Sequence, residues 1–244
     1  MFREILRPAR SKETASSQRR IAVAGVSDGA GVSFLAGNLA RYLSRFENVT
    51  LAELGKPHFW HALNGEKQFQ SRSFIFYEDL LARSAGTRFT ENRCLSMNLL
   101  LRRPGSGPLP PDYYPDFCGS AVVADCSRVT DAYLEKTVLS WADRVILVAD
   151  PLPSALLPGF ARLQRLLLTR PDTVLVFNRF CSGVPRGELN AFLGRDNYLR
   201  IPCIPAELIC KAEYNCSFVM DLPAGSRLME KYAEELKNAI ELHN

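Results

Sequence analysis

Short runs of apolar residues alternate along this chain with longer segments in which apolar residues recur at helical spacing. Near-continuous runs of Val, Ile, Leu and Ala are typical of strands buried on both faces of a parallel sheet. The predicted strands occupy residues 21–26, 49–54, 97–101, 120–125, 144–150 and 173–178. The predicted helices occupy residues 33–46, 75–84, 131–141, 154–169, 186–193 and 226–242. This alternation predicts an α/β fold, a doubly wound and mostly parallel sheet with helices on both faces.

The positive charge of the chain is concentrated at its beginning. The formal net charge is +4, and residues 1–20 alone carry six basic and two acidic side chains. The remaining residues are balanced, which argues against a dedicated nucleic-acid binder. We predict that residues 1–19 form a basic, flexible tail and that residues 20–244 form a single domain. The Pro- and Gly-rich stretch 104–115 is then a loop inside that domain, because neither side is long enough for a core of its own.

The sequence favours a cytoplasmic location. No stretch approaches the ~18 uninterrupted apolar residues of a membrane span, and the first residues lack the apolar segment of a secretory signal. The seven cysteines are therefore expected to be reduced thiols. Phe2, Ile5 and Leu6 lie among arginines in the tail, so peripheral contact with the inner face of a membrane stays open beside a purely solvated tail.

A glycine-bearing turn, VSDGAGVS (26–33), joins the first predicted strand directly to a helix. In this context backbone N–H groups and the positive end of the helix dipole converge on an anion. Gly29 and Gly31 would let the backbone approach a phosphate closely, and Ser33 is placed to offer its hydroxyl to Mg²⁺.

The turn nevertheless departs from the strict Walker pattern. Val32 stands where that pattern has lysine, and Asp28 stands where it has glycine. Judged from this segment alone, a turn that serves only packing is as good an interpretation as a phosphate-binding loop.

The ordered set of segments resembles the MinD/ParA group of P-loop ATPases. The segment 21–44 resembles that family's deviant Walker A segment, in which K-G-G-x-G-K-[ST] follows the first strand. The segments VTLAELGKP, SAVVADCSRV, ADRVILVADPLPSAL and TVLVFNRF resemble its second strand, its switch II strand, the strand after that and the strand ending in the adenine motif. The segment 198–236 resembles its closing part, Ile-Pro, an Ala-containing helix and a final helix. The resemblance covers residues 20 to 242 in the family's order and implies a P-loop NTPase-like fold that binds ATP and Mg²⁺.

The resemblance also assigns site residues. The nucleotide would be held by Ser27, Asp28, Gly29, Ala30, Gly31, Val32, Ser33, Phe34 and Asn178. Mg²⁺ would be held by Ser33 and Asp125. No residue is a firm catalytic candidate, although Glu53 and Asp125 stand at acidic positions of the family's strands. A purely structural role is the alternative for Asp125 and Asn178, because polar residues often end buried strands, and it is the favoured one for Glu53.

The departures from the family pattern predict a loss of hydrolysis. Ser27 and Val32 occupy the positions of the family's two lysines. Phosphoryl transfer depends on positioning and on neutralising negative charge, and each lost contact of this kind costs ~3–4 kcal/mol in the transition state. The sequence therefore predicts a pseudo-ATPase in which ATP and Mg²⁺ bind weakly or not at all. An active partitioning or positioning ATPase rescued by Lys56, or by a partner, is the alternative.

Degenerate P-loops are familiar in the CpaE/TadZ-like proteins that localise pilus-assembly machinery. The ATPase portion of this chain resembles those proteins. The resemblance implies a localisation or scaffold protein that is dimeric, acts through protein partners and binds no specific nucleic acid. This chain lacks room for the N-terminal receiver-like domain of those proteins, because only about 20 residues precede its first strand.

Overall fold

Eight strands form one sheet in the computed structural model, which describes residues 18–70, 74–81, 92–109 and 117–241. The strands are β1 Arg19–Gly25, β2 Val49–Glu53, β3 Arg93–Cys94, β4 Met97–Leu100, β5 Ala121–Cys126, β6 Arg144–Ala149, β7 Val174–Phe180 and β8 Leu199–Pro202. Their order is β3-β4-β2-β5-β1-β6-β7-β8. Every pair is parallel except β3 with β4. The predicted doubly wound α/β fold is confirmed.

Ten helices surround this sheet in the described part of the chain. They are α1 Val32–Leu43, α2 Phe59–Ala62, α3 Gly65–Gln68, α4 Tyr77–Leu81, α5 Asp131–Tyr133, α6 Leu139–Trp141, α7 Pro153–Thr169, α8 Arg186–Leu193, α9 Ala206–Tyr214 and α10 Pro223–Glu241. A π-helical turn, Leu134–Val138, joins α5 to α6, and a 3₁₀ turn, Val219–Asp221, precedes α10.

The two faces of the sheet carry separate cores because successive side chains of a strand point to opposite faces. In β1, Ile21 and Val23 join the core under α1 and α10, whereas Ala22 and Ala24 join the core under α7. Burial on both faces explains why the central strands read as uninterrupted apolar runs. Their carboxyl ends meet at one edge of the sheet, which is where ligands bind in open α/β folds.

The six predicted strands correspond to β1, β2, β4, β5, β6 and β7. The short elements β3, β8, α2 and α3 were not predicted, and α9 was expected only from the resemblance. Arg19, assigned to the tail, is the first residue of β1, where its N–H donates to the Ser120 carbonyl. Residues 1–17, which hold the rest of the predicted tail, lie outside the described residues, as does the end of the predicted helix 75–84.

Gly159 allows α7 to pack directly on the end of β1. A Cβ at Gly159 would lie 2.6 Å from the Val26 carbonyl oxygen, so the helix would have to move away. We expect Gly159→Ala to lower the free energy of unfolding by about 1–3 kcal/mol, the usual cost of overpacking. Gly187→Ala in α8 is the matched control, because nothing lies within 4 Å of its Cβ position. Urea unfolding monitored by circular dichroism measures both, and equal stabilities would contradict the close packing.

Candidate functional site

A cavity of about 620 Å³ lies at the carboxyl edge of the sheet. Its wall includes every residue from Ser27 to Phe34, so the turn between β1 and α1 borders it throughout. Asn178 from β7 also lines it, together with Lys56 from the segment after β2 and Arg128 from the segment after β5. The structure therefore brings together the predicted loop and the predicted Asn178 around one space large enough for a small-molecule ligand.

The loop conformation depends on glycine at two positions. Gly29 and Gly31 have φ of +73° and +97°, in the region that disfavours side chains. Gly31 is also the N-cap of α1, and no side chain caps this helix end. The first N–H groups of a helix have no partner within it. Because no N-cap side chain shields these donors, the loop presents them to an anion.

Val32 occupies the lysine position of the family motif and belongs to the hydrophobic core. It is 6% exposed, and a Cβ at Gly25 would lie 2.9 Å from its Cγ2 atom. Asp28, by contrast, is exposed, and its Oδ2 atom lies 3.7 Å from the Nε atom of Arg128. The Ser27 hydroxyl is buried and has no hydrogen-bond partner in the described part of the chain. The loop thus holds no cation of its own.

Asp125 and Ser33, the predicted magnesium ligands, are brought together. Asp125 is fully buried and its Oδ1 atom accepts a hydrogen bond of 2.9 Å from the Ser127 N–H. Burial raises the pKa of Asp125, and the Ser33 hydroxyl lies near enough to oppose that shift. Oδ2 has no partner within hydrogen-bond distance among the described residues. Mg²⁺ prefers hard oxygen ligands and few protein contacts, so this donor pair fits the ion that the resemblance implies.

Glu53 is held by the backbone. Its Oε1 atom accepts hydrogen bonds from the N–H groups of His58 at 2.6 Å and Phe59 at 2.9 Å. Its Oε2 atom accepts from the N–H of Arg102 at 2.9 Å. Burial raises the pKa of Glu53 to about 7; the Phe59 N–H opposes this shift and the charge of Asp125 adds to it. Through these bonds the Glu53 carboxyl holds the turn after β2 next to the end of β4, so these contacts are structural.

The segments that follow β2 and β5 are joined by main-chain hydrogen bonds. The N–H groups of Leu54 and Gly55 both donate to the Asp125 carbonyl, at 2.9 and 3.1 Å, and the Lys56 N–H donates to the Ser127 carbonyl at 3.0 Å. A Cβ at Gly55 would lie 1.7 Å from the Ser127 carbonyl oxygen, so only glycine fits. The main chain after β2 is therefore held against the main chain at the end of β5.

Asn178 and Arg179 fasten the loop from β7. The Asn178 Nδ2 atom donates to the Ala30 carbonyl at 2.9 Å, and a Cβ at Gly31 would lie 2.1 Å from the same atom. Arg179 donates through Nη2 to the Gly29 carbonyl at 2.5 Å and pairs with the buried Asp150 at 2.6 Å. The amide that the resemblance assigns to adenine thus contacts the loop main chain. The sequence analysis missed Arg128, Arg179 and Asp150, because nothing local signals which side chains turn toward the loop.

Two observations on the described residues limit other kinds of site. No three His, Cys, Asp or Glu side chains among them converge as a metal-binding group. None of their helices combines the length and the apolar character needed to cross a lipid bilayer.

Solved structures of ParA and MinD ATPases share this fold. A ParA family ATPase from Chlorobium tepidum TLS superposes with a TM-score of 0.66 at 16% identity, covering 89% of this chain and 99% of that one. A putative plasmid partition protein from Borrelia burgdorferi B31, bound to AMPPNP, gives 0.65 at 16% identity and covers 93% and 98%. The septum site-determining protein MinD from Pyrococcus horikoshii OT3, complexed with Mg-ADP, gives 0.62 at 18% identity and covers 90% and 96%.

No protein-family model matches the sequence, and no curated protein matches it. At identities this low the structural likeness establishes the fold, which is that of the ParA/MinD P-loop ATPases. The fold implied by the sequence resemblance is confirmed.

Stability should fall as pH rises because Glu53 is buried. A carboxyl whose pKa is raised from 4.5 to about 7 by folding stabilises the protein below pH 4.5 and loses that contribution as pH rises to 7. Each pKa unit corresponds to 1.36 kcal/mol, so the contribution reaches about 3 kcal/mol. Glu53→Gln keeps an acceptor but cannot ionise, so its stability should change less over this range. Urea unfolding of both proteins between pH 4.5 and 7.5 measures the difference, and parallel profiles would count against a raised pKa.

Proposed function

We propose that this chain is a MinD/ParA-like pseudo-ATPase that binds a nucleotide with Mg²⁺ weakly, hydrolyses it slowly or not at all, and acts as a localisation or scaffold protein. The observation that carries the proposal is Val32. Its side chain fills the lysine position from within the hydrophobic core, while the cavity beside it persists.

The case for binding rests on the features that the loop retains. Gly29 and Gly31 keep the conformation that exposes backbone donors, and the end of α1 is uncapped. Ser33 and Asp125 offer oxygens suited to Mg²⁺. Two of the proteins with this fold hold AMPPNP or Mg-ADP, which makes an adenine nucleotide the natural ligand to test.

The case against hydrolysis rests on charge. Asp28 is the one charged side chain between Ser27 and Phe34, and it is negative. The absence of two loop cations, at about 3–4 kcal/mol each, would slow phosphoryl transfer by a factor on the order of 10⁴–10⁶. Glu53 does not supply a free carboxylate for activating water, because both of its oxygens accept main-chain hydrogen bonds.

The ties between the strand ends also disfavour a hydrolytic cycle. Nucleotide-driven switches need segments with two alternative arrangements. Here the segment 54–56 is bonded to the Asp125–Ser127 main chain, and Gly55 leaves no space between them. A cycle that separated these two segments would have to break these hydrogen bonds.

A scaffold role fits the exposed apolar surface of α7. Leu157 and Leu168 are 58% and 81% exposed on this helix, and Leu152 just before it is 58% exposed. Leu157 and Leu168 lie about three helical turns apart on one face of α7, where they are available for contact with a partner protein. The finer proposals of a cytoplasmic homodimer, a part in pilus or secretion-machinery assembly and a peripheral membrane contact through the tail rest on the CpaE/TadZ resemblance. The tail residues 1–17 lie outside the described part.

Calorimetric titration with ATP and Mg²⁺, paired with a phosphate-release assay, tests the biochemical proposal. We expect binding in the micromolar to millimolar range and phosphate release no faster than a blank. Asp125→Asn should weaken binding when Mg²⁺ is present and change little when it is absent. Turnover on the scale of ordinary enzymes, about 1 s⁻¹ or faster, would overturn the pseudo-ATPase assignment.

A functional partitioning or positioning ATPase is the second candidate, and one observation favours it. The Lys56 side chain is exposed and lines the cavity, so it could reach a bound phosphate. If Lys56 replaces the loop lysine, Lys56→Ala should reduce phosphate release by about 10²-fold or more. Lys67→Ala in α3 is the control, because this lysine is exposed and does not line the cavity. Equal rates for the two variants would rule out rescue by Lys56.

The cellular role is tested separately. A fluorescent fusion in pilus-producing cells is expected to gather in polar or patchy foci, whereas a uniformly diffuse signal would contradict a localisation role in pilus assembly.

A further inference from the structure

The cavity contains more positive charge than the loop that borders it. Its lining includes Lys56, Arg128, Arg162 and Arg179 against Asp28 and Glu213. Arg162 already pairs with Asp131 at 3.1 Å, on the α5 side. Arg128 and Arg179 instead reach the loop itself, at Asp28 and at the Gly29 carbonyl. These two guanidinium groups therefore lie beside the loop and line the cavity that it borders.

Both arginines adopt a backbone conformation that is rare for their residue type. Arg128 has φ of +56° and Arg179 has φ of +59°. A left-handed conformation costs a non-glycine residue energy and persists only where the surrounding structure holds it. Arg179 lies at a register irregularity of β7, between Phe177 and Phe180, and this irregularity turns its side chain toward the loop. Two separate strand ends thus present a guanidinium to the same loop.

The two guanidinium groups retain donors for a ligand. An arginine has five N–H donors in a planar fork. The Nη2 group of Arg179 serves Gly29 and Asp150, yet its side chain is 47% exposed. Arg128 is 50% exposed, and its 3.7 Å approach to Asp28 is too long for a hydrogen bond. A phosphate can therefore replace Asp28 as the partner of Arg128, because Arg–phosphate pairs are bidentate and strong.

We propose that Arg128 and Arg179 bind the phosphate groups of a nucleoside polyphosphate in place of loop lysines, and that Asp28 competes with the terminal phosphate. This inference rests on the proposed nucleotide binding and assigns the residues responsible. Asp28 is 77% exposed and lies beside Arg128. Its negative charge therefore repels a third phosphate and competes with that phosphate for Arg128. The site accordingly binds a nucleoside diphosphate more tightly than the triphosphate. Because Asp28 disfavours the terminal phosphate, the two arginines hold a diphosphate and do not stabilise the transfer of a terminal phosphoryl group, which fits binding without turnover.

The test is a titration of the full chain with Mg-ADP, Mg-ATP and inorganic tripolyphosphate. Arg128→Gln and Arg179→Gln should each weaken ADP binding by about tenfold, the effect expected for one charge-assisted hydrogen bond. Asp28→Asn should strengthen ATP binding by about tenfold and ADP binding less. Arg195→Gln is the control, because Arg195 is partly exposed and lies outside the cavity lining. The salt dependence of ADP binding should be weaker in Arg128→Gln and Arg179→Gln than in the unmodified chain, and it should be unchanged in Arg195→Gln.

A structural role for Arg179 is separated by Arg179→Lys, which keeps the charge. Because Arg179 also holds the Gly29 carbonyl, Arg179→Gln alone could disturb the loop. Partial recovery of affinity in the lysine variant, with recovery of salt sensitivity, supports a charge contact with phosphate. Arg128→Gln is free of this ambiguity, since among the described residues Arg128 makes only the loose pair with Asp28 near the loop.

Each outcome decides between the two proposals. If the unmodified chain binds ADP and both glutamine variants bind like the Arg195 control, the arginine assignment is overturned and nucleotide binding stands. If tripolyphosphate binds in an arginine-dependent manner and nucleotides do not, the arginine assignment stands and the nucleotide proposal falls. If neither binds at millimolar concentration, both are overturned.

Discussion

The contact between Asn178 and the turn after β1 is the constraint on which the site depends. The Asn178 amide donates to the Ala30 carbonyl, and it lies where a side chain at Gly31 would otherwise be. A glycine in the left-handed region is therefore required at Gly31 on two grounds, its φ and its neighbour. With the loop held in this shape, α1 can begin at Val32 and leave its first N–H groups uncapped. The geometry of the loop and the uncapped start of α1, whose N–H groups suit an anion, thus follow from the packing of Asn178 against Gly31.

The same contact changes how the resemblance should be interpreted. The resemblance assigns Asn178 to the recognition of adenine, whereas here the Nδ2 atom of its amide donates to the Ala30 carbonyl of the loop. Glu53 offers a parallel case, since its carboxylate bonds three main-chain N–H groups. In both, a polar residue at the carboxyl end of a strand supports the scaffold that surrounds the cavity. Among the arginines that line this cavity, Arg128 and Arg179 are the two that reach the loop.

The sequence predicted the long elements of the fold and missed the short ones for a physical reason. Strands buried on both faces read as continuous apolar runs, so β1, β5 and β6 were recognisable without any partner. The edge strands β3 and β8 have two and four residues and include exposed side chains, so their patterns are too brief to separate from loop. The predicted helix 33–46 is three residues too long at its end, since α1 ends at Leu43 and Phe46 is largely exposed.

The part of the candidate site that could be predicted consists of residues that lie next to one another in one segment of the chain. Gly29, Gly31 and Ser33 were found because the loop needs them next to one another in sequence. Arg128 and Arg179 were not found, because their approach to the loop depends on left-handed backbone at two strand ends that are distant in sequence. A sequence motif describes the residues of one segment. Residues at distant strand ends that approach the same cavity can be identified only once the fold is known. The loop sequence therefore shows that its own segment carries no cation, and the strand ends show which arginines line the cavity beside it.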